Sequence, residues 1–287
     1  SEEVPWDPYF ERDPEYHRRG IIDSLQRAAD KLPRVDAIGG SSAGVYVDNQ
    51  VRAASLFRGV PDELFEPEVR DMFRKIGEDW KVPLTVVNDG DVTALAGSMS
   101  LEDGAVLGLA MGTSAAAGYV DPDGVIRPWL SELAFVPIDY RENAPVDEWS
   151  GDGGCGVQYF SQQAVARLVP ASGLEIDTAL PFPEQLVKVQ EFMAAGDDRA
   201  AAIYRSIGVY LGYAIPQFAR FYPIRHLLLL GRVLTGAGGD LILKVAGDVL
   251  AAEFPALHKS VALVTPDETM KRHGQAIAAA SLPALSL

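Results

Sequence analysis

Two hydrophobic periods alternate through the first third of the chain, and that alternation restricts it to one broad class of fold. Ile21, Ile22, Leu25, Ala28, Ala29 and Leu32 recur at helical spacing over residues 15–32, and Pro33 stops the helix. VDAIGG then predicts a short strand, residues 62–80 a second helix, and LTVVN a second strand that runs at once into a helical pattern, DGDVTALAG. Helix, strand, helix, strand, helix is the order of a parallel sheet covered on both faces.

After Gly97 the pattern changes. Residues 105–111 and 115–120 read as adjacent strands, followed by an Asp-Pro-Asp-Gly turn and a short third strand. Then come a glycine-rich loop (SGDGGCG), a helix from about Val157, and a long helix over 198–221. The strand HLLLLG, the loop RVLTGAGG, a helix to Ala252, the strand SVALVT and a last helix from about Glu268 complete the chain. This order predicts two α/β lobes, 1–103 and 104–287, with the final helix able to return to the first.

Charge and composition narrow the functions. Against 25 basic residues stand 40 acidic ones, a net charge of -15, so no basic stripe is available for nucleic acid. An anionic ligand such as ATP would need backbone N–H groups, a helix N-terminus or Mg²⁺. A single cysteine, Cys155, excludes an intrachain disulfide and a cysteine-cluster metal site. No apolar run approaches the roughly 20 residues of a membrane span, and no signal-peptide pattern opens the chain. A soluble, cytoplasmic protein without a membrane partner is expected.

Three motifs can carry chemistry. Asn88-Asp89-Gly90 ends a strand where a helix begins. It reads either as a turn in which Asp89 or Asp91 caps the helix, or as a site, since ligands of open α/β sheets bind at the carboxyl ends of strands. A carboxylate there can deprotonate a hydroxyl while Asn88 orients a second one. GLAMGTSAAAGYV is a hairpin of small residues or a phosphate cradle, with Gly112 admitting close approach and Thr113 and Ser114 supplying donors. LLLLGRVLTGAGGDL ends a buried strand on Gly231 and starts a helix after Gly236. It has neither the dinucleotide glycine spacing nor the Gly-Lys-Ser/Thr of a P-loop.

Taken in order, these pieces resemble the ROK family (repressors, open reading frames, kinases), in the sugar-kinase branch of the actin/hexokinase/Hsp70 superfamily. The resemblance spans residues 35–280. VDAIGGSSAGVYVDNQ is similar to the segment beside the sugar, with Ala43-Gly44 where Pro-Gly is usual. VVNDGDVTALAG resembles the Asn-Asp-Ala-Asn-Ala-Ala element, GCGVQYFSQQAV the Gly-Cys-x-Glu-x-Tyr-x-Ser element, and HGQAIAAA the final Gly-Ala-Ala helix. The resemblance implies a two-lobed, actin-like (ribonuclease H-like) α/β fold and ATP- and Mg²⁺-dependent phosphorylation of a sugar or polyol. Asp89 would be the general base. Ser42, Gly44, Asn88, Glu132 and Gln158 would contact the sugar. Gly112, Thr113 and Ser114 would face the ATP phosphates, with Gly231 and Gly236 toward the adenosine. It also admits a homodimer.

The departures are equally specific. Phe135 stands in place of the family's ligand histidine, and only Cys155 remains of the cysteines, so no zinc site is expected. Gln158 replaces a carboxylate, which with Phe135 disfavours glucose and leaves room for a deoxy- or amino-sugar, a cyclitol or an unusual polyol. The first phosphate loop, Asp-x-Gly-Gly-Thr, should precede the helix at Glu15 and is not in these residues. The family layout therefore implies about three further strands, roughly 40–60 residues, ahead of Ser1. The alternatives to a kinase are a non-enzymatic sugar sensor and a degenerate kinase that binds without turnover. His17, His226, His258 and His273 lack metal-ligand spacing and are expected at the surface or in packing. Trp6, Trp80, Trp129 and Trp149 are expected mostly in the core, with Trp129 or Trp149 placed to stack on a sugar.

Overall fold

A computed structural model describes residues 7–148, 150–267 and 270–283, of Lys271 and Arg272 the backbone only. Trp6, Trp149 and Glu268 thus lie outside the described residues. Helix α1 (Pro14–Ala29) starts on a proline, is capped by the Asp13 side chain, and turns Ile21 and His17 inward. Strands β1 (Ile38–Ser42) and β4 (Leu84–Asn88) pair in parallel, with Ser42 opposite Asn88.

Between them lies a hairpin that the alternating pattern did not predict, β2 (Val45–Val47) and β3 (Gln50–Ala53), turning on Asp48 and Asn49 with positive φ. The Asn49 amide donates to the Leu84 carbonyl (2.7 Å) and accepts from the Val86 N–H (2.9 Å). One side chain thus does along β4 what a neighbouring strand would do. The single helix expected over residues 62–80 is instead α2 (Asp62–Leu64), a π-turn (Phe65–Val69) and α3 (Met72–Trp80). Pro67 sits in the π-turn, where its missing N–H breaks the α ladder. Val51, Phe57, Val69, Met72, Ile76 and Val86 form the core of this half.

Helix α4 (Asp89–Leu101) leaves β4 without a linker and crosses a second sheet of order β6-β5-β7-β8. Strand β5 (Val106–Met111) is antiparallel to β6 (Ala115–Val120) and parallel to β7 (His226–Leu230), which is parallel to β8 (Ala262–Val264). Contact at the start of α4 is backbone on backbone: a Cβ on Gly118 would fall 2.1 Å from the Gly90 carbonyl carbon. The predicted third strand reduces to one bridge, Val120 to Ile126. There the Asp121 carboxylate accepts the Asp123 and Val125 N–H groups (both 2.9 Å) and binds Arg127, closing a loop in place of a strand.

The opposite face carries α5 (Gln162–Ser172), α6 (Phe182–Ala194), α7 (Asp198–Phe218) and α8 (Ala237–Glu253), packed on Leu107, Leu109, Leu227 and Leu229, with α9 (Pro255–Ser260) following. Helix α5 begins at Gln162 and not near Val157, because Ser161 caps it and residues Gly156–Gln158 form a 3₁₀ turn. Helix α7 ends at Phe218, three residues short of the expected end. Helix α10 (Gln275–Ser281), entered from a π-turn at Met270–Gly274, packs Ala278 and Ala279 against Val92 and Ala96 of α4. Gly39 of β1 admits the Ala279 carbonyl. Among the described residues no helix is long and apolar enough to cross a membrane.

Candidate functional site

The parallel pairing of β1 and β4 brings Ser42 beside Asn88 at the carboxyl ends of both strands, and Asp89 follows as the first residue of α4. Asn88 is the N-cap: its Oδ1 accepts the Gly90 N–H (2.8 Å), so neither Asp89 nor Asp91 holds that position. The Asn88 Nδ2 donates to the Gly44 carbonyl (2.8 Å). Gly44 has φ 138°, and a Cβ there would meet the Ala53 carbonyl oxygen at 2.4 Å, so only glycine lets the chain approach Asn88 in this way. Ser42, Gly44, Asn88 and Asp89 are therefore one constellation, although much of the Asn88 amide is engaged in building it.

Burial pushes the Asp89 carboxyl above its ordinary range, with the Gly90 N–H (3.0 Å) pulling the other way. Two further carboxylates sense it. Asp91, buried one turn into α4, accepts the Tyr119 N–H (3.1 Å) and is pushed up to about 7 by burial and then by the charges of Glu132 and Asp89. Glu132, in the loop before the 3₁₀ turn Leu133–Phe135, is raised by burial and by Asp89. Tyr46 of β2 belongs to the same neighbourhood. Burial raises its hydroxyl to about 12, its bond to Ser42 opposes the rise, and the Asp89 charge adds to it. Sequence reading assigned no role to Asp91 beyond a cap and none to Tyr46. An acidic residue two positions after the motif was a usable signal for Asp91, whereas nothing local points to Tyr46.

Gln158, expected as a sugar contact, is buried; its side-chain amide donates to Gln163 (2.6 Å) and its backbone carbonyl accepts from Arg167. Its bonds are thus to the helix that follows. Trp129 stacks flat on Tyr119 (5.8 Å, 2°), while His17 bonds the Glu11 carbonyl and His226 bonds Asp103. Among the described residues no three His, Cys, Asp or Glu side chains converge closely enough to hold a metal ion.

Of the residues expected at the nucleotide, the Gly112–Ser114 turn and Gly231 lie at the same end of β5. In the β5–β6 turn the Gly112 N–H is bonded to the Ser114 carbonyl (2.9 Å), and the Gly112 carbonyl accepts the Gln162 N–H (2.9 Å). Gly112 thereby shapes the turn and leaves donation to Thr113 and Ser114, both exposed. A Cβ on Gly231, at φ 105°, would fall 2.5 Å from the Met111 carbonyl oxygen, so the loop after β7 rests directly on the end of β5. Gly236, the N-cap of α8, makes no side-chain cap bond and has open space on its Cβ side, while Gly238 and Gly239 behind it are packed on Tyr204 and Leu234. Hydroxyls, small residues and an uncapped helix start suit phosphate oxygens. The turn opens β6 at Ala115 and the α4 start touches Ala117 and Gly118, a separation of roughly 10 Å from Ser114 along the strand.

This arrangement defines a fold class, the two-lobed, actin-like ATPase. Within it the solved structures similar to this chain are ROK proteins. A ROK hexokinase from Thermus thermophilus shares 18% identity at a TM-score of 0.67, over 94% of this chain and 85% of that one. A ROK glucokinase from Streptomyces griseus, in complex with glucose and AMPPNP, shares 16% at 0.65, over 94% and 88%. A ROK transcriptional regulator, a homologue of the Escherichia coli Mlc protein, shares 20% at 0.71, over 93% and 68%. These likenesses, all at 20% identity or less, show the fold. No protein-family model matches the chain, and no curated protein matches it in sequence.

Proposed function

We propose that the protein transfers a phosphoryl group from ATP to a hydroxyl of a sugar or sugar-like polyol, with Asp89 as general base. The observation that carries this reading is the placement of Asp89: a half-buried carboxylate at the carboxyl end of β4, next to Asn88 and the Ser42 end of β1, with its pKa raised by partial burial. Fold similarity to hexokinases and a glucokinase agrees with the reading, although it extends to a regulator as well.

ATP with Mg²⁺ would supply the phosphoryl group. Thr113, Ser114 and the start of α8 would bind phosphate oxygens, and the Gly231 loop would lie toward the nucleoside. Ser42 and the remaining Asn88 N–H would hold the acceptor alcohol while Asp89 takes its proton as the oxygen attacks phosphorus. Such catalysis is mostly positioning and charge stabilisation. Asp91 and Glu132 make the surroundings rich in acceptors, which favours a substrate rich in donors: several hydroxyls or an amine. The polyol would be held on the 1–103 side and the nucleotide on the 104–287 side.

The natural protein, with whatever residues lie ahead of Ser1, assayed with Mg²⁺ and ATP against glucose, glucosamine, N-acetylmannosamine and myo-inositol should convert at least one to a phosphate ester. Binding of a panel member without transfer to any of them would replace the kinase reading with that of a sensor.

A further inference from the structure

Ser42 ends β1 with one hydrogen bond already made. Its Oγ accepts from the Tyr46 hydroxyl (2.7 Å), and the Ala43 carbonyl, 3.4 Å from the same hydroxyl, is a weaker second acceptor. With its oxygen accepting from Tyr46, the Ser42 hydroxyl can turn its own proton to another partner, and among the described residues no other protein group pairs with it. Ser42 lies opposite Asn88 in the strand pairing, so the spare donor stands next to the residue that precedes Asp89. The Tyr46 ring is anchored away from the site by an edge contact with Phe73 (5.8 Å), a residue of the core beneath the hairpin. A hydroxyl held by a packed ring is a fixed point from which a mobile serine rotor can be aimed.

We propose that Tyr46 is a positioning residue: through Ser42 it directs a single hydroxyl donor at an oxygen of the acceptor substrate beside Asp89. The inference rests on the phosphotransferase reading above. Donation by Tyr46 polarises the Ser42 hydroxyl and makes it a better donor, as in any chain of hydrogen bonds. That donor is matched by a lone pair on the substrate, such as a hydroxyl oxygen, while the second lone pair of Ser42 Oγ stays available to a substrate donor. Tyr46 thereby sets which edge of the polyol faces β1.

The test uses the full chain, Mg²⁺, ATP and the same four-compound panel. Tyr46→Phe removes one oxygen and keeps the ring on Phe73, so the melting temperature should hold. KM for the polyol should rise about three- to tenfold, the worth of one neutral hydrogen bond, with kcat little changed and KM for ATP unmoved. Ser42→Ala should produce the same change, and the double variant no more than either alone, because both remove one relay. An unchanged polyol KM in Tyr46→Phe, or losses that add in the double variant, overturns the inference while leaving the kinase reading intact. A wild-type chain that phosphorylates none of the panel defeats the kinase reading and this inference with it.

Discussion

Asp89 and Asp139 are carboxylates shielded from water, and the molecule treats them in opposite ways. Asp139, in the loop after Phe135, is bound by the Arg141 guanidinium (Nε at 2.9 and 3.0 Å) and by the Tyr159 hydroxyl at 2.6 Å. Arg141 first, and Tyr159 after it, hold its carboxyl far below the usual range. The Tyr159 ring is itself covered by Arg167 (4.8 Å) and Tyr210 (4.5 Å). Asp89 has only the Gly90 N–H and is pushed the other way. Asp139 is held by a cation and a phenol, and Asp89 by neither. The Asp139 staple falls between Phe135 and Cys155, the segment in which the ROK resemblance would place zinc.

The comparison breaks most readily at Asp89. Asp89→Asn should lower kcat by about 10²–10⁴-fold while leaving polyol binding and melting temperature near normal. A variant with full turnover would put Asp89 in the same structural class as Asp139. The pH dependence of wild-type kcat should place the controlling group above the ordinary carboxylate range, with activity rising as that group ionises.

Asp139→Asn should do the reverse: melting temperature falls by several degrees at pH 7 and kcat is spared. Its native carboxyl is depressed, so its contribution is present above the unfolded carboxylate range and is lost as pH falls below that range. The gap between variant and wild type should therefore close in acid. A gap independent of pH would remove the ion pair from the explanation.

Asp91 offers a smaller and oppositely signed test. Its carboxyl is raised to about 7, so its favourable contribution is complete below the unfolded carboxylate pKa and is lost as pH rises through about 7. Asp91→Asn can still accept the Tyr119 N–H and should be more stable than wild type at pH 8, on the order of 1–3 kcal/mol, with no advantage at pH 4. Equal stability at both pH values would show that Asp91 is not strained. The smallest expected effect is that of a chelator, which should leave the melting temperature unchanged if ion pairing alone holds the 137–156 loop.

Local sequence reads some of these elements and not others for identifiable reasons. Strands β4 and β7 are short, mainly apolar runs closed by Asn88 and Gly231, and both appear where LTVVN and HLLLL place them. Helix α6 was missed because Pro181 and Pro183 read as loop, although they mark a helix start. The Asp-Pro-Asp-Gly turn forms where the sequence places it, but the strand expected after it stops at one bridge, because Asp121 also binds the Val125 N–H and Arg127. At the site, Asn88 and Asp89 were legible because strand end and helix start adjoin in sequence. The Asp91–Tyr119 bond spans 28 residues and depends on two glycines touching across α4 and β6, which no periodicity encodes.

Asn49 has a consequence for how the molecule breathes. Its side chain accepts the Val86 N–H and donates to the Leu84 carbonyl from the turn of the β2–β3 hairpin, so this amide is covered by the hairpin and not by a strand. The sheet beneath need not unfold for it to exchange with deuterated solvent. Exchange at Val86 should therefore follow release of the Asn49 turn, running well ahead of the protected amides of β5 and β7. Tyr46 lies on the same hairpin, so a lifting that frees the turn would also move the partner of Ser42.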